Sequence, residues 1–225
     1  MRNSDFSGND LVLRDYESDD YHTFSIMLST FSGSSAHKTL APRRVLLLVR
    51  DQTQQEAIDV AKSIWGHLSY YEAKIVSLDQ VQDIEFTEDD VLISLLEVSS
   101  PFLYTMSGKE YQILKCFIQR VRNLLWITAA SQSNHHYAEY DVMQGFMRSI
   151  RSENIDKRII TLGIDIDTQE SGSLLWTEFV TRVFASAFVA GSEELEYRVH
   201  DNQLITARLV EEKSLNTRLC SFISP

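Results

Sequence analysis

Short aliphatic runs alternate with longer amphipathic stretches over most of this chain. Five of these runs predict strands, and they are Val45–Val49, Lys74–Leu78, Val91–Val98, Leu124–Thr128 and Arg158–Ile166. The first, Val45–Val49, is continuously aliphatic, as expected for a strand that is covered on both faces. Between the runs, apolar residues recur at helical spacing, as they do in residues 57–68. Strands that alternate with helices imply right-handed crossovers and a parallel sheet. The pattern therefore predicts an α/β fold in which helices flank a mostly parallel, Rossmann-like sheet.

Two further segments precede this alternating region. Strand-like residues at 11–16 and 24–31 surround an acidic turn, which predicts a short antiparallel β-hairpin within residues 1–31. Residues 32–42, SGSSAHKTLAP, contain Gly, Ser and Pro without an apolar period and predict a linker. Residues 43–225 then form the Rossmann-like domain. Its strand-like tail is expected to add an edge pair through a turn at Asp201 and Asn202.

Charge and hydropathy restrict the partners of this chain. It has 225 residues and a formal net charge of -11, without a run of lysine or arginine. Such a chain repels phosphate groups, which argues against nucleic acid or an anionic membrane surface as a partner. No apolar run approaches the roughly 20 residues that span a bilayer, and the N-terminus lacks the order of a signal peptide. We therefore expect a cytoplasmic chain without nucleic-acid or membrane partners.

The cysteine and histidine residues do not indicate a metal site. Cys116 and Cys220 are far apart in the sequence, and Cys116 lies among apolar residues of a predicted helix, which predicts a buried, reduced thiol. The adjacent His135 and His136 point in different directions, so joint metal ligation is awkward. The acidic residues at 85–90 lack the spacing of a calcium loop. We predict no bound metal.

A dinucleotide site needs glycines after the first strand, because the backbone must approach the pyrophosphate closely at a helix N-terminus. The residues after Val49 are RDQTQQ, which include no glycine, and no two glycines of the chain have G-x-G spacing. Asp51 would also place a carboxylate near the phosphates. These residues argue against a conventional dinucleotide site.

The segment from Leu124 to Glu153 has the outline of a reductase site without its chemistry. An apolar strand runs into a polar loop and then a helix, where a nucleotide-dependent reductase places a Ser and a Tyr-x-x-x-Lys motif. Here Asp141 follows Tyr137 at that spacing, and Gln144 follows Tyr140. No ammonium group is therefore placed to lower the pKa of either phenol or to hold a ribose. The segment indicates a reductase fold that has lost its activity.

Tyr111 and Lys115 provide the alternative interpretation. They have the required spacing on a predicted helix, and Ser99 and Ser100 follow the preceding strand as candidate hydroxyl partners. An active site there would be that of a small NADPH-dependent short-chain reductase. Its strand is the third in order and the phosphate loop is missing, so we favour a chance match.

The helix before the fifth strand has a predicted apolar face made of Val142, Met143, Phe146, Met147 and Ile150. Opposite this face it carries three charged residues, namely Arg148, Arg151 and Glu153. One interpretation is an exposed ion pair that keeps the helix soluble. The other is a docking surface for a neighbouring domain. The sequence alone does not decide between them.

Several segments resemble fungal highly reducing iterative polyketide synthases, in the same order along the chain. The similarity runs from the end of the methyltransferase region through the structural ketoreductase subdomain that follows it. The similar segments are FSGNDLVLRDYESDDYHTFSIMLST at 6–30, LLWITAA at 124–130, GFMRSIRSE at 145–153, RIITLGIDID at 158–167 and LEYRVHDNQLITARLVEEKSLN at 195–216.

The resemblance implies a truncated Rossmann-like subdomain that is a scaffold, not an enzyme in isolation. In that family the segment braces the catalytic half of the ketoreductase and the adjacent methyltransferase and enoylreductase domains. The complete synthase is an acyltransferase-class multienzyme that uses NADPH and S-adenosylmethionine. We expect this chain to be an excised or separately encoded piece of such a synthase. We also expect it to have no catalytic, cofactor-binding or metal-binding residues and to self-associate through uncovered apolar surface. A third interpretation is a free-standing interaction protein that acts on a synthase in trans.

Overall fold

The computed structural model of this chain describes residues 11–14, 25–28, 42–51, 53–130, 137–166 and 172–207. The chain divides into two compact units, Met1–Lys38 and Thr39–Pro225. In the first unit, β1 (Leu11–Arg14) and β2 (Ser25–Leu28) pair in antiparallel fashion. This confirms the predicted antiparallel strands. The acidic turn between them and nearly all of the predicted linker at 32–42 lie outside the described residues.

The second unit alternates strands with helices. Its strands are β3 (Arg44–Val49), β4 (Glu72–Ser77), β5 (Val91–Glu97), β6 (Asn123–Ala130), β7 (Arg158–Asp165), β8 (Glu196–His200) and β9 (Gln203–Thr206). Its helices are α1 (Gln55–His67), α2 (Phe102–Thr105), α3 (Gly108–Arg120), α4 (Tyr137–Glu153) and α5 (Gly172–Phe184), with a 3-10 turn at Gln80–Asp83 and a π-helical turn at Ala185–Val189. The five strands predicted from the aliphatic runs are therefore confirmed, with ends that differ by at most two residues.

The seven strands form one sheet in the order β4-β3-β5-β6-β7-β8-β9. All neighbouring pairs are parallel except β8 and β9, which confirms the mostly parallel, Rossmann-like sheet. A complete dinucleotide-binding sheet has the order 3-2-1-4-5-6, with two strands on the outer side of the first. Here, in the described part of the chain, β4 alone lies outside β3. The strand order reverses between β3 and β5, which makes their carboxyl ends the topological switch point.

The sheet separates two apolar layers, because successive side chains of a strand point to opposite faces. On β3, Val45 and Leu47 pack with residues of α1 and α5, whereas Leu46 and Leu48 pack with residues of α3 and α4. All four side chains are at most 1% exposed. The unit is thus a three-layer sandwich with the sheet in the middle.

Two surface positions differ from the sequence interpretation. Cys116 is exposed on α3, so the prediction of a buried thiol is wrong. The buried face of α3 contains Phe117 instead, and the residue before it points away from the sheet. On α4, Val142 is 46% exposed, whereas Met143 and Met147 are buried. Both errors arise because an apolar residue at the border of a helical stripe was assigned to the buried side.

The turn between β8 and β9 has the predicted position. Asp201 and Asn202 have φ values of 48° and 56°, the left-handed conformation that both central residues of a type I′ hairpin turn need. Asp and Asn tolerate this conformation better than other non-glycine residues. The predicted edge pair is therefore confirmed. Among the described helices, none is both long and apolar enough to cross a membrane.

Candidate functional site

An arginine and a glutamate occupy the switch point. Arg50 follows β3 directly, and its Nε and Nη2 atoms donate to the two carboxylate oxygens of Glu110 at 2.6 and 3.0 Å. The Arg50 guanidinium also lies 5.4 Å from the ring centroid of Phe102, in a cation–π contact. A bidentate pair of this kind fixes both side chains in one orientation. Arg50 is thus already engaged by a carboxylate at the end of β3.

Glu110 belongs to the capping box that begins α3. Its Oε2 atom accepts a hydrogen bond from the Ser107 backbone N–H at 2.7 Å, and the Ser107 hydroxyl accepts one from the Glu110 N–H at 3.3 Å. The hydrogen bonds from Arg50, and then those from Ser107, lower the pKa of Glu110 to about 2. The carboxylate therefore stays ionised at neutral pH and holds Arg50 and the start of α3 together.

The turn between β3 and α1 does not fit a pyrophosphate-binding loop. The Asp51 carboxylate accepts hydrogen bonds from the Thr53 backbone N–H and hydroxyl at 2.7 and 2.5 Å, and these bonds lower the pKa of Asp51. Gln54 is the N-cap of α1 and makes no side-chain cap hydrogen bond. Every residue from 50 to 55 carries a Cβ atom, which keeps the backbone away from a close phosphate contact. A charged carboxylate near the same turn would also repel a phosphate.

A β-bulge near the end of β5 turns Glu97 towards α2 and α4. Ser94 lies opposite Trp126 on β6, and Glu97 lies opposite Thr128, so three steps along β5 match two along β6. In a regular strand, two side chains that are three residues apart, such as Ser94 and Glu97, point to opposite faces because side chains alternate. The bulge adds one residue to β5 and brings both side chains to the same face. The bulge therefore places a carboxyl group on the same face as Trp126 and Thr128.

Glu97 is fully buried and accepts three hydrogen bonds. Its Oε1 atom accepts from the Leu103 backbone N–H at 3.0 Å, and its Oε2 atom accepts from Trp126 Nε1 at 3.1 Å and Thr128 Oγ1 at 3.4 Å. Burial raises the pKa of Glu97 to about 7, although the three hydrogen bonds oppose this by favouring the ionised form. The Glu97 carboxyl group is therefore expected to change its protonation state near neutral pH.

A cavity of about 330 Å³ lies at the carboxyl ends of β6 and β7, between α4 and the β8–β9 pair. It is within the size range of small-molecule sites. Its polar lining consists of Thr128, Tyr140, Asp141, Gln144, Arg148, Asp165, Glu196, Tyr197, Arg198 and Thr206. Thr128 therefore contacts Glu97 and also forms part of the cavity wall. In the part of the chain that the structure describes, we consider this cavity and the switch point as candidate sites.

Tyr140 and Gln144 occupy the cavity at the position of a reductase Tyr-x-x-x-Lys motif. Both line it from α4. Burial raises the pKa of Tyr140, and the negative charges of Glu97, Glu56 and Glu139 raise it further. A catalytic tyrosine needs the opposite change, which a lysine ammonium would supply. The neutral Gln144 cannot supply it. The side chain of the other tested tyrosine, Tyr137, lies outside the described residues.

The arginines of α4 contact the sheet. Arg148 donates through Nε and Nη2 to the two carboxylate oxygens of Glu196 on β8, at 2.8 and 2.6 Å. Arg151 donates through Nη1 to the same carboxylate at 2.8 Å. Two arginines thus share one acceptor and join α4 to β8, a function that neither sequence interpretation included. Glu153 is exposed at the end of the helix.

The structure places Tyr111 and Lys115 on the exposed side of α3, away from the cavity lining. Tyr111 is 45% exposed. Ser99 and Ser100 follow β5, and within the described residues the Ser100 hydroxyl is buried without a hydrogen-bond partner. His135 and His136 lie outside the described residues. In the described ranges, no three His, Cys, Asp or Glu side chains group closely enough to hold a metal ion.

Glu97 is the residue that the sequence interpretation missed. It ends the aliphatic run VLISLLE, which was assigned only as a buried strand. A carboxylate within a strand that is buried on both faces is unusual, because such a charge is rarely buried without partners. That position was the available signal in the sequence.

Comparison with known proteins identifies the family. Residues 58–210 match the family model of the HRPKS sdrA-like, NAD(P)-binding Rossmann-fold domain. The chain belongs to this family. The match to the HRPKS sdrA-like domain begins inside α1 and ends just beyond β9. It covers six of the seven strands of the sheet, whereas β3 and the turn that would bind a pyrophosphate precede it.

The relatives of this HRPKS sdrA-like domain are much longer polyketide synthases. Highly reducing polyketide synthase 2 of Gibberella zeae is 35% identical and aligns with 100% of this chain and 9% of its own length. Highly reducing polyketide synthase phiA of a fungal species is 33% identical over 67% of this chain and 6% of its own length. Squalestatin tetraketide synthase of a Phoma species is 24% identical over 98% of this chain and 8% of its own length. The chain thus spans less than a tenth of the curated relatives it matches.

Proposed function

We propose that this chain is the structural, non-catalytic ketoreductase subdomain of a highly reducing polyketide synthase. In this function it braces the catalytic half of the ketoreductase and the neighbouring methyltransferase and enoylreductase domains. The observation that supports this most strongly is the bidentate pair of Arg50 and Glu110 at the switch point. The pair replaces a glycine-rich phosphate loop with a fixed contact between β3 and α3, which serves architecture and not nucleotide binding.

The cavity supports the same proposal. A reductase at this position would need a tyrosine with a lowered pKa, and Tyr140 instead has a raised one. The ion pairs of Arg148 and Arg151 with Glu196 hold α4 to β8 beside it. Arg148 and Arg151 of α4 therefore help to hold the sandwich together.

The sheet edge supplies a reason for a partner. β4 is the outer strand at the β3 side, and its outward backbone groups have no neighbouring strand in the described part of the chain. An edge strand offers a row of N–H and C=O groups to another chain, and proteins cover such edges. A catalytic ketoreductase half that covers this edge would stabilise both partners. Without it, we propose that the chain self-associates.

NADPH and S-adenosylmethionine are, in this proposal, cofactors of other domains of the synthase. The chain itself contributes no catalytic group and acts in the cytoplasm, without a nucleic-acid or membrane partner. Its net charge of -11 supports the absence of the last two partners.

A calorimetric titration of the folded chain with NADPH tests the proposal directly. We expect no heat beyond dilution up to millimolar concentration, because the turn after β3 does not fit a pyrophosphate. Circular dichroism on the same sample confirms that the chain is folded. Saturable binding would contradict the proposal.

A second experiment tests the bracing function. The chain is mixed with the catalytic ketoreductase half of the same synthase and analysed by size-exclusion chromatography with light scattering. We expect a one-to-one complex and the loss of self-association. An equally charged enoylreductase domain of an unrelated enzyme serves as the control. A strictly monomeric chain that ignores the catalytic half would refute the bracing function.

The alternative reductase rests on Tyr111 and Lys115, which stay one turn apart on the exposed side of α3. If it were correct, Tyr111→Phe would abolish NADPH-dependent turnover without unfolding the chain. Tyr104→Phe is the matched control, because Tyr104 is also an exposed tyrosine nearby, at 64% exposure. The other alternative, an interaction protein that acts in trans, predicts that a complete synthase is captured from the producing cell.

A further inference from the structure

We propose that Glu97 is a proton-responsive latch behind the wall of the cavity. When its carboxyl group is ionised it holds the hydroxyl hydrogen of Thr128, and when it is protonated it turns that hydrogen towards the cavity. This inference rests on the geometry of β5, α2 and β6. It holds whether or not the chain has the structural function proposed above.

The three donors around Glu97 are not equivalent. The Leu103 backbone N–H and Trp126 Nε1–H are donors only, so neither can accept a hydrogen bond from the carboxyl group once that group is protonated. The Thr128 hydroxyl can donate or accept, because its hydrogen rotates about the C–O bond. Thr128 is therefore the one partner of the three that can respond to a change in the protonation of Glu97.

Protonation adds one O–H bond to Glu97, with the proton taken up from solvent. A buried hydroxyl needs an acceptor, since an unpaired polar hydrogen costs free energy. Thr128 Oγ1, 3.4 Å from Glu97 Oε2, can supply that acceptor once its own hydrogen points elsewhere. Thr128 lines the cavity, so the displaced hydrogen has the cavity to point into. The cavity wall then presents a donor instead of an acceptor.

The titratable groups around the latch permit this change near neutral pH. α2 contributes the Leu103 backbone N–H, and β6 contributes Trp126 and Thr128, none of which titrates there. From α4, Tyr140 interacts with Glu97, and the raised pKa of this phenol keeps it neutral. Glu56 of α1 and Glu139 of α4 act on Tyr140 as further negative charges. Burial raises the pKa of Glu97 to about 7, which places the transition in this range.

Nuclear magnetic resonance on the 225-residue chain provides the test. The indole N–H signal of Trp126 and the methyl signal of Thr128 are followed between about pH 5.5 and pH 8.5. The Trp126 indole signal is assigned by its absence in Trp126→Phe, and the Thr128 methyl signal is assigned by its absence in Thr128→Val. We expect both signals to move with one shared midpoint near 7. The indole signal of Trp65, which is 45% exposed, is the internal control and should not follow that midpoint.

Glu97→Gln separates the latch from general effects of pH. In this variant both signals should lose the transition, because glutamine does not titrate. If this variant does not fold, the pH titration of the two signals in the native chain still tests the proposal. If neither signal shows a midpoint in the range, Glu97 does not titrate there and the proposal fails. If Trp126 follows the midpoint and Thr128 does not, the hydroxyl does not reverse and the latch is also refuted.

Discussion

Replacing Glu97 by glutamine should change how the free energy of unfolding depends on pH. The pKa of Glu97 is about 7 in the folded chain, whereas a free glutamate has a value of 4.5. The folded state therefore binds this proton more tightly than the unfolded state does. The contribution of the group to stability is fully present below pH 4.5 and is lost as the pH rises through 7.

The magnitude follows from the two pKa values. A separation between about 7 and 4.5 corresponds to about 3 kcal/mol of stability lost between pH 4.5 and pH 8. Glutamine stays neutral and loses nothing over this range. The glutamine side chain, however, has an NH₂ group that faces one of the hydrogen-bond donors around position 97. Two donors that face each other leave both unpaired, which costs about 1 to 3 kcal/mol of unfolding free energy at every pH. The native chain should thus be the more stable of the two near pH 5, and this advantage should disappear near pH 8.

Guanidinium unfolding, followed by circular dichroism at about pH 5, 6.5 and 8, measures the free energy of unfolding of the native chain and of Glu97→Gln. The difference in unfolding free energy between the native chain and Glu97→Gln should change by about 2.5 kcal/mol between about pH 5 and pH 8. Glu153→Gln is the control, since Glu153 is exposed at the end of α4, and its difference from the native chain should stay flat. A difference for Glu97→Gln that is also flat would refute the assignment of a near-neutral pKa to the buried carboxyl group.

Three further substitutions test other parts of the domain. Glu110→Gln should cost about 1 kcal/mol at neutral pH, and less as the pH falls towards the folded pKa of about 2, which urea unfolding at about pH 7 and pH 3 will show. Phe184→Ala should cost about 3 to 5 kcal/mol in chemical denaturation, because the buried ring packs at 5.3 Å from Tyr71 and 5.7 Å from Phe188; a loss below about 1 kcal/mol would contradict that packing. Glu196→Gln should weaken the contact of α4 with β8, so amide hydrogen exchange should speed up in residues 145–153 but not in α3.

Four strands, β3, β5, β6 and β7, could be predicted from sequence because burial on both faces leaves a continuous aliphatic run, whereas the edge strand β4 is only partly buried. The type I′ turn could be predicted because Asp201 and Asn202 are residue types that tolerate positive φ. The short helix α2 was not predicted, since four residues hold too little periodicity to recognise. Its N–H group at Leu103 is one of the three donors to Glu97. Local sequence patterns thus predicted the main strands and the β8–β9 turn but missed α2, which supplies one of the donors to Glu97.

The contacts of both candidate sites could not be predicted, because they join residues distant in sequence. Arg50 and Glu110 are 60 positions apart, and Arg148 and Glu196 are 48 apart. A spacing rule on one helix cannot find such pairs. The turn of Glu97 towards Trp126 depends on a bulge, which appears only when β5 and β6 are paired. These features belong to tertiary structure, whereas the missing glycines after Val49 could be read from the chain itself.

Because the sheet separates two apolar layers, the side chains of adjacent residues along a strand pack against different sets of neighbours. Leu47 and Leu48 are adjacent along β3, yet they belong to the interior compartments on opposite sides of the sheet. Volume lost at Leu47 can be compensated only by residues of its own compartment, such as Ile93 and Val60, because Leu48 faces the other one. In the divergence of related synthases, compensating changes should therefore follow the two compartments and not the order of residues along a strand.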